Sequence, residues 1–459
     1  MTTLKHWITP TIVRHGGAGL NKFGGVRQSL YLDAIDGVPV SQLIERFGSP
    51  LFVMSEARLR ETARRMRRAF TSRYPKVRFG WSYKTNYLNA VCGLLHQEGF
   101  EAEVVSGFEY EKARMLGVPG HRIIFNGPLK TREDLERAVS ERAQIHIDHL
   151  DELYLLEAVV RDAGLRDFPV AIRLNFDTGY SEPWSRFGFN LETGQAMDAA
   201  RRIANSPWLQ LVGLHNHIGT YITDPRAYSA QVRIMAGFVT AVEAATGCTI
   251  RFLDTGGGFA SRNSLQGVYL PPEQVVPSIE QYADALCNTL HECFRDREAQ
   301  GKPLPELILE SGRAVVDESA WLLSSVVANK RLADGRRGLV VDAGVNVLFT
   351  AFWYNHDVRL TKPAEGLPEE TVIYGPMCMN IDVLRQSLKL PPLSPGEVLA
   401  FWPVGAYNNT QWMQFIAYRP AVVMVRENGS VDVLRRREKL QDMTDLESLP
   451  DGLQPDFRD

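Results

Sequence analysis

Cysteine is scarce in this sequence, and an excess of charge of either sign is missing. The five cysteines among 459 residues, Cys92, Cys248, Cys287, Cys293 and Cys378, are odd in number and lack metal-type spacing. They exclude a disulfide-stapled secreted scaffold and fit a reducing cytoplasm, where the chain is expected to reside. Lys and Arg total 51 against 54 Asp and Glu, so the formal net charge of -3 offers no field for nucleic acid or an anionic membrane. No apolar run approaches the ~20 residues of a membrane span. The opening stretch, MTTLKHWITPTIVRHGG, has no apolar core of a secretory signal. What remains is an ordinary globular composition, 44% hydrophobic and 23% charged, with length for two or three domains.

The stretch Val77 to Asn86, VRFGWSYKTN, organises the rest. Val77, Phe79 and Trp81 alternate as a buried strand requires. The run ends on Tyr83-Lys84-Thr85-Asn86, after which Leu88, Val91, Leu94 and Leu95 recur at helical spacing. A lysine therefore stands where a strand hands over to a helix. Most lysines at such points are solvated; a reactive amine at Lys84 needs partners from elsewhere in the chain.

From Val77 a rhythm sets in. Strand-like runs fall at Val77 to Tyr83, Glu103 to Ser106, Arg122 to Asn126, Gln144 to Asp148, Val170 to Asn175, Leu209 to His215, Ile250 to Asp254 and Glu306 to Glu310. Helical patterns separate most of them, as at Arg132 to Arg142, Leu150 to Ala163 and Ala227 to Ala245. Eight strands alternating with helices predict a (β/α)8 TIM-like barrel, whose functional groups gather at the C-terminal strand ends. Beyond Arg313, short strand candidates with Pro and Gly turns and few helices predict an all-β domain. The glycine-rich start is too short for a core of its own. The expected division is a segment 1–45 packing on the β-domain, a barrel 46–313, and a β-domain 314–459 ending in a polar tail. An arginine-rich amphipathic helix capped by Ser55 lacks interleaved aromatics, so it reads as a solvated face rather than a nucleic-acid site.

Four features fall at strand ends of the expected barrel: Lys84, His215-Asn216-His217, Asp254-Thr255-Gly256-Gly257-Gly258, and Glu310-Ser311-Gly312-Arg313. Singly each is weak, since a triple glycine is more often a turn and a lone histidine a satisfied core residue. Together they are the parts that pyridoxal 5'-phosphate needs. These are an amine to condense with the aldehyde, glycine N–H groups to close on the phosphate, a carboxylate for the pyridine nitrogen and a flat side chain over the ring.

At these residues the sequence resembles the fold-type III pyridoxal-phosphate-dependent decarboxylases, the family of diaminopimelate, ornithine and lysine decarboxylases. The resemblance runs in order through Tyr83 to Asn86, Gly127-Pro128-Leu129-Lys130, Ser185-Arg186-Phe187-Gly188, His217-Ile218-Gly219-Thr220, Gly256 to Phe259, Glu310 to Arg313, Gly375-Pro376-Met377-Cys378 and Gly405-Ala406-Tyr407. It implies an alanine-racemase-type barrel followed by a β-domain, and a homodimer with active sites at the subunit interface. By the resemblance Lys84 carries the cofactor, His217 stacks on its ring, and Gly256, Gly257, Gly258 and Tyr407 hold the phosphate. Glu310 would pair with the pyridine nitrogen and Arg313 lie near the phosphate or the substrate carboxylate. Cys378, from the partner subunit, would return a proton to the substrate carbon after carbon dioxide leaves. The bland alternative for Cys378 is a buried small hydrophobe. Tyr354, Asp382, Arg313 and Tyr407 are the expected substrate contacts.

The departures from the pattern bear on the substrate. Met379 follows the cysteine where relatives carry glutamate or aspartate, Thr350 aligns with a substrate-binding arginine, and Asn355 follows Tyr354 where ornithine enzymes have aspartate. Asp357 and Asp382 remain as possible amine partners. Ser311 for the usual proline and Thr220 for the usual serine are tolerable changes. Losing a charge-assisted contact costs ~1.5–3 kcal/mol. The expected substrate is accordingly a diamino acid of D- or L-ornithine or lysine type, and neither meso-diaminopimelate nor L-ornithine in the usual pose. A siderophore or antibiotic intermediate, free or carrier-linked, is an alternative. Two further classes compete. A racemase typically pairs the pyridine nitrogen with arginine, against which Glu310 argues. A non-catalytic regulator typically loses the lysine or the cysteine, and both are kept here.

Overall fold

The structure, a computed structural model, describes residues 31–268, 270–455 and 457. Eight parallel strands close on themselves. These are β1 (Val77–Ser82), β2 (Glu101–Val104), β3 (Ile123–Phe125), β4 (Gln144–Ile147), β5 (Phe168–Asn175), β6 (Leu209–His215), β7 (Phe252–Asp254) and β8 (Glu306–Ser311). Each pairs with the next, and β8 returns to β1 with Glu310 opposite Gly80. A parallel barrel buries its strands on both faces, which explains the continuous apolar runs at β5 and β8. Inside the barrel Ile124, Ala171, Val212, Phe252 and Ile308 form a layer of their own.

The helices around the barrel begin where the sequence supplies acceptors for their free N–H groups. Ser55 Oγ accepts from Arg58 N–H at 3.0 Å, opening the helix Glu56–Thr71. Thr131 and Ser278 make reciprocal capping boxes with Asp134 and Gln281. The arginine-rich face of Glu56–Thr71 is largely ion-paired: Arg60 and Arg64 share Glu98, and Arg65 meets Glu280.

The β-domain follows β8 through a short helix, Arg313–Val316. Its long strand Ala320–Arg331 joins two halves of a sheet that includes Arg337–Val341, Glu369–Tyr374, Val383–Leu390, Val398–Trp402 and Ala421–Val425. The expected division at residue 45 needs correction. Leu51–Ser55, assigned above to the barrel segment, lies in this sheet, antiparallel to Ala320–Arg331 and parallel to Ala421–Val425. The barrel portion therefore starts at Glu56, because the neighbours that bury Leu51 and Val53 come from the far end of the chain. Ile35, Val38, Val40 and Leu43 pack on the same sheet, against Trp321 and Val423. Of the segment 1–45, residues 31–45 are described, and there Ala34–Ile35 pairs antiparallel with Val38–Pro39. No helix among the described residues is long and apolar enough to cross a membrane.

Candidate active site

The C-terminal ends of the barrel strands and one edge of the β-domain enclose a cavity of about 660 Å3. Lys84 sits on its floor in a single 3-10 turn, Tyr83–Thr85, directly after β1. Its Nζ donates to Glu103 Oε2 at 2.6 Å, and Glu103, at the inner end of β2, is fully buried. Burial pulls the amine down, but Glu103 and Glu310 outweigh it and hold the ammonium above its ordinary range. Glu103 thus holds Lys84 in its charged form and fixes the position of Nζ.

Glu310, ending β8, accepts from Asn126 and lies 3.3 Å from His215 Nε2. Burial keeps His215 and His146 far below the usual imidazole range, so both are neutral rings, their centroids 5.0 Å apart. Burial and the neighbouring Glu310 push the Asp254 carboxyl well above the usual carboxylate range. Among the described residues His146, His215 and Glu310 are the one grouping of possible metal ligands, their atoms within 4.8 Å of one another. Lys130 faces both rings and Lys84 and Arg173 face His215, while Glu310 faces His146 and Glu103 faces His215.

His217 is partly buried on the cavity wall and neutral, lowered to about 3 by desolvation. Its Nδ1 accepts from Gly257 N–H at 3.0 Å, and Trp184 meets its ring edge-on at 5.4 Å between centroids. The glycine run after β7 is shaped by its carbonyls: Gly256 O accepts from Glu310 N–H, Gly257 O from Tyr228 Oη, and Gly258 O from Ile222 N–H. A Cβ on Gly257 would stand 2.2 Å from Glu310 O, and one on Gly258 2.3 Å from Gly219 O. Gly258 N–H has no protein acceptor among the described residues. Arg313 lies between Tyr354 and Tyr407, 4.7 and 4.9 Å from their ring centroids. Its Nε and Nη1 are buried without hydrogen-bond partners.

These groups fit pyridoxal phosphate. Orphaned guanidinium N–H groups beside a glycine loop suit an anion, a neutral flat imidazole suits a ring face, and a buried carboxylate suits a pyridinium. The β-domain is tied to the lysine turn by Tyr407 N–H to Thr85 O at 2.8 Å and Asn86 Nδ2 to Gly405 O at 3.0 Å.

Lys84, His217, Gly258, Glu310, Arg313, Tyr354 and Tyr407 all line the one cavity. Four expected residues are off its wall: Gly256 and Gly257, which lie behind it in the glycine run, and Cys378 and Asp382. Cys378 is exposed and off the cavity wall, so the buried-hydrophobe reading does not describe it. Asp382 is buried, and its two oxygens accept the backbone N–H groups of Val345 and Met377 at 2.8 and 2.7 Å, clasping the loop that carries Cys378. Thr350 is buried too, its hydroxyl 2.9 Å from both His356 Nε2 and Asn408 Oδ1. Sequence reasoning missed Glu103, Asn126 and Arg173 as cavity residues. Their signal was available, since each falls on or just after an expected strand of the barrel rim.

Residues 57–317 match the pyridoxal-dependent decarboxylases over their pyridoxal binding domain. The diaminopimelate decarboxylase of Methanothermobacter thermautotrophicus is 30% identical over 430 residues, 91% of this chain and 95% of that protein. That of Bacillus subtilis is 29% identical over 458 residues, 94% and 97% of the two chains. The crystal structure of the M. jannaschii diaminopimelate decarboxylase in co-complex with L-lysine superposes with a TM-score of 0.82, at 29% identity, over 91% of this chain and 96% of that one. The chain belongs to the fold-type III pyridoxal-phosphate-dependent decarboxylase family. It is an amino-acid decarboxylase, a carbon–carbon lyase whose cofactor is pyridoxal phosphate.

The relatives overturn one expectation, that of a diamino acid other than diaminopimelate, together with its siderophore, antibiotic, racemase and regulator alternatives. Chains alike over nine-tenths of the length carry the diaminopimelate name. That expectation weighed the charge partners missing at Thr350, Met379 and Asn355 without the cations Arg173 and Arg186 that other elements bring to the cavity.

Proposed function

We propose that the chain removes carbon dioxide from one amino-acid end of diaminopimelate, leaving lysine. The observation that carries this reading is 30% identity to a diaminopimelate decarboxylase across 91% of the chain. The cavity geometry supports it, with one reactive amine on the floor and several cations on the wall for a substrate with two carboxylates.

In this reading Lys84 binds the cofactor and His217 covers its ring. Gly256, Gly257, Gly258, Arg313 and Tyr407 hold the phosphate, and Glu310 keeps a proton on the pyridine nitrogen. The bound cofactor supplies an electron sink for the pair left when the carboxylate departs. Glu103 orients Lys84 through its hydrogen bond from Nζ. Trp184, Phe187 and Tyr354 narrow the cavity and exclude water. Arg313, Tyr354 and Tyr407 orient the reacting end, while Asp382 acts by holding the Cys378 loop.

Cys378 lies off its own chain's cavity, which supports a homodimer in which each subunit lends its thiol to the other's site. The exposed thiols of Cys378 and Cys293 suit a reducing, cytoplasmic setting. Carbon dioxide release across diaminopimelate, L-ornithine, D-ornithine, L-lysine and D-lysine tests the substrate. Diaminopimelate should give the highest kcat/KM; a clear preference for any of the others overturns the reading.

A further inference from the structure

Four cations line the cavity, and three have carboxylate neighbours. Lys84 pairs with Glu103 at 2.6 Å, Arg173 lies 3.6 Å from Asp148, and Arg313 lies 3.7 Å from Asp317. Arg186 has no carboxylate partner among the described residues; its guanidinium rests on the ring of Phe187, 4.7 Å from the centroid. The Arg173 guanidinium uses the same ring, at 4.4 Å. Two guanidinium groups on one aromatic ring repel each other, and an anion received beside them offsets that repulsion.

The turn bearing Arg186 is held in place. Asn175 Nδ2 donates to Trp184 O at 2.8 Å, and Phe187 N–H donates to the same carbonyl at 3.1 Å. Gly188, at φ +73, lies so close to β5 that a Cβ would meet Arg173 O at 2.7 Å. The guanidinium is thus pre-positioned at the mouth, above the floor on which Lys84 sits. Thr350 is shut away in its contacts with His356 and Asn408 and brings no charge to the far end of a substrate.

We propose that Arg186, set on Phe187 at the cavity mouth, receives the distal carboxylate of the substrate and so determines its preference for a diacid. This rests on the diaminopimelate reading. A guanidinium offers a carboxylate two parallel N–H bonds, which a lysine ammonium cannot.

The test compares L-lysine, which retains the distal carboxylate, with cadaverine, which lacks it, as ligands of the holoenzyme. Binding is followed by calorimetry and by the cofactor's absorption. In Arg186→Met the Kd for L-lysine and the KM for diaminopimelate should rise about ten- to a hundredfold, with a much smaller change in kcat. The Kd for cadaverine should move far less, and Arg186→Lys should recover part of the loss. Equal weakening of both ligands, or an unchanged Kd for L-lysine, overturns the role of Arg186. A wild type that ignores diaminopimelate overturns the substrate reading alone. The lysine–cadaverine comparison then still decides Arg186, which fails if wild type does not distinguish the two.

Discussion

At the scale of single residues, burial sets the protonation states around the cofactor site. His217, His215 and His146 are kept neutral by desolvation, so the positive charge facing the cavity comes from Lys84 and the arginines. Glu109, at the start of the helix Gly107–Met115, is pushed up to about 7 by burial, against the opposing pull of Lys84 and a 2.8 Å hydrogen bond from Val105 N–H. The sign follows from proton counting. Between about 4.5, its ordinary value, and about 7, the native chain holds a proton that the unfolded chain has shed. Stability from this group is therefore complete below that window, falls as pH rises through it, and is lost above it. Glu109→Gln keeps an acceptor for Val105 but cannot ionise. It should be more stable than wild type at pH 8 by up to ~3 kcal/mol, with the gap closing toward pH 4.5. Denaturant midpoints across that pH range check this, and a constant gap would show that the carboxyl does not titrate there.

At the scale of elements, the glycine run after β7 shows how a loop becomes a binding surface. Its three carbonyls are engaged by the barrel and its neighbouring elements, Gly256 and Gly257 N–H donate to Asp254 Oδ1 and His217 Nδ1, and the Gly258 N–H is left for an anion. Gly258 has φ +89 as well as the close approach to Gly219 O, so no side chain fits without moving the loop. Gly258→Ala should cost ~1–3 kcal/mol of stability and weaken cofactor binding about tenfold or more. Thermal denaturation and cofactor titration measure the two effects, and unchanged cofactor affinity would argue against this loop as the phosphate cradle. Two strands of the β-domain, Asp357–Leu360 and Val383–Leu390, had no clear sequence signal. The second reads VLRQSLKL and is exposed along part of one face, so its alternation is weak, and its pairing with Glu369–Tyr374 decides it.

For the whole molecule, the contacts of Tyr407 with Thr85 and of Gly405 with Asn86 fix the β-domain against the lysine turn. The cavity is thereby built from both parts of the chain, while Cys378 of the same chain stays outside it. If the thiol serves the partner's site, inactive Lys84→Ala and inactive Cys378→Ala should complement when subunits exchange. A hybrid has one site with both groups intact, and half the dimers are hybrids at equal mixing, so recovery should approach about a quarter of wild-type activity. No recovery despite exchange shown by mass spectrometry would place both groups in one chain's site.

The alternation of strands and helices from Val77 to Glu310 was legible in the residues alone, because periodicity and capping are local. With the barrel given, the sequence also determined that Lys84, His217, the glycine run and Glu310 share one rim, since strand ends of a closed parallel barrel meet there. What it could not determine depends on neighbours distant in the chain. Leu51–Ser55 has a strand's composition whichever sheet it joins, and only pairing with Ala320–Arg331 and Ala421–Val425 places it in the β-domain. The Glu103 partner of Lys84 and the exposure of Cys378 were likewise decided by packing. So was the contrast between the ion-paired arginines of Glu56–Thr71 and the unpaired Arg186. Charge in a sequence has no address until folding sets which opposite charges lie within reach, and tertiary structure alone supplies those distances.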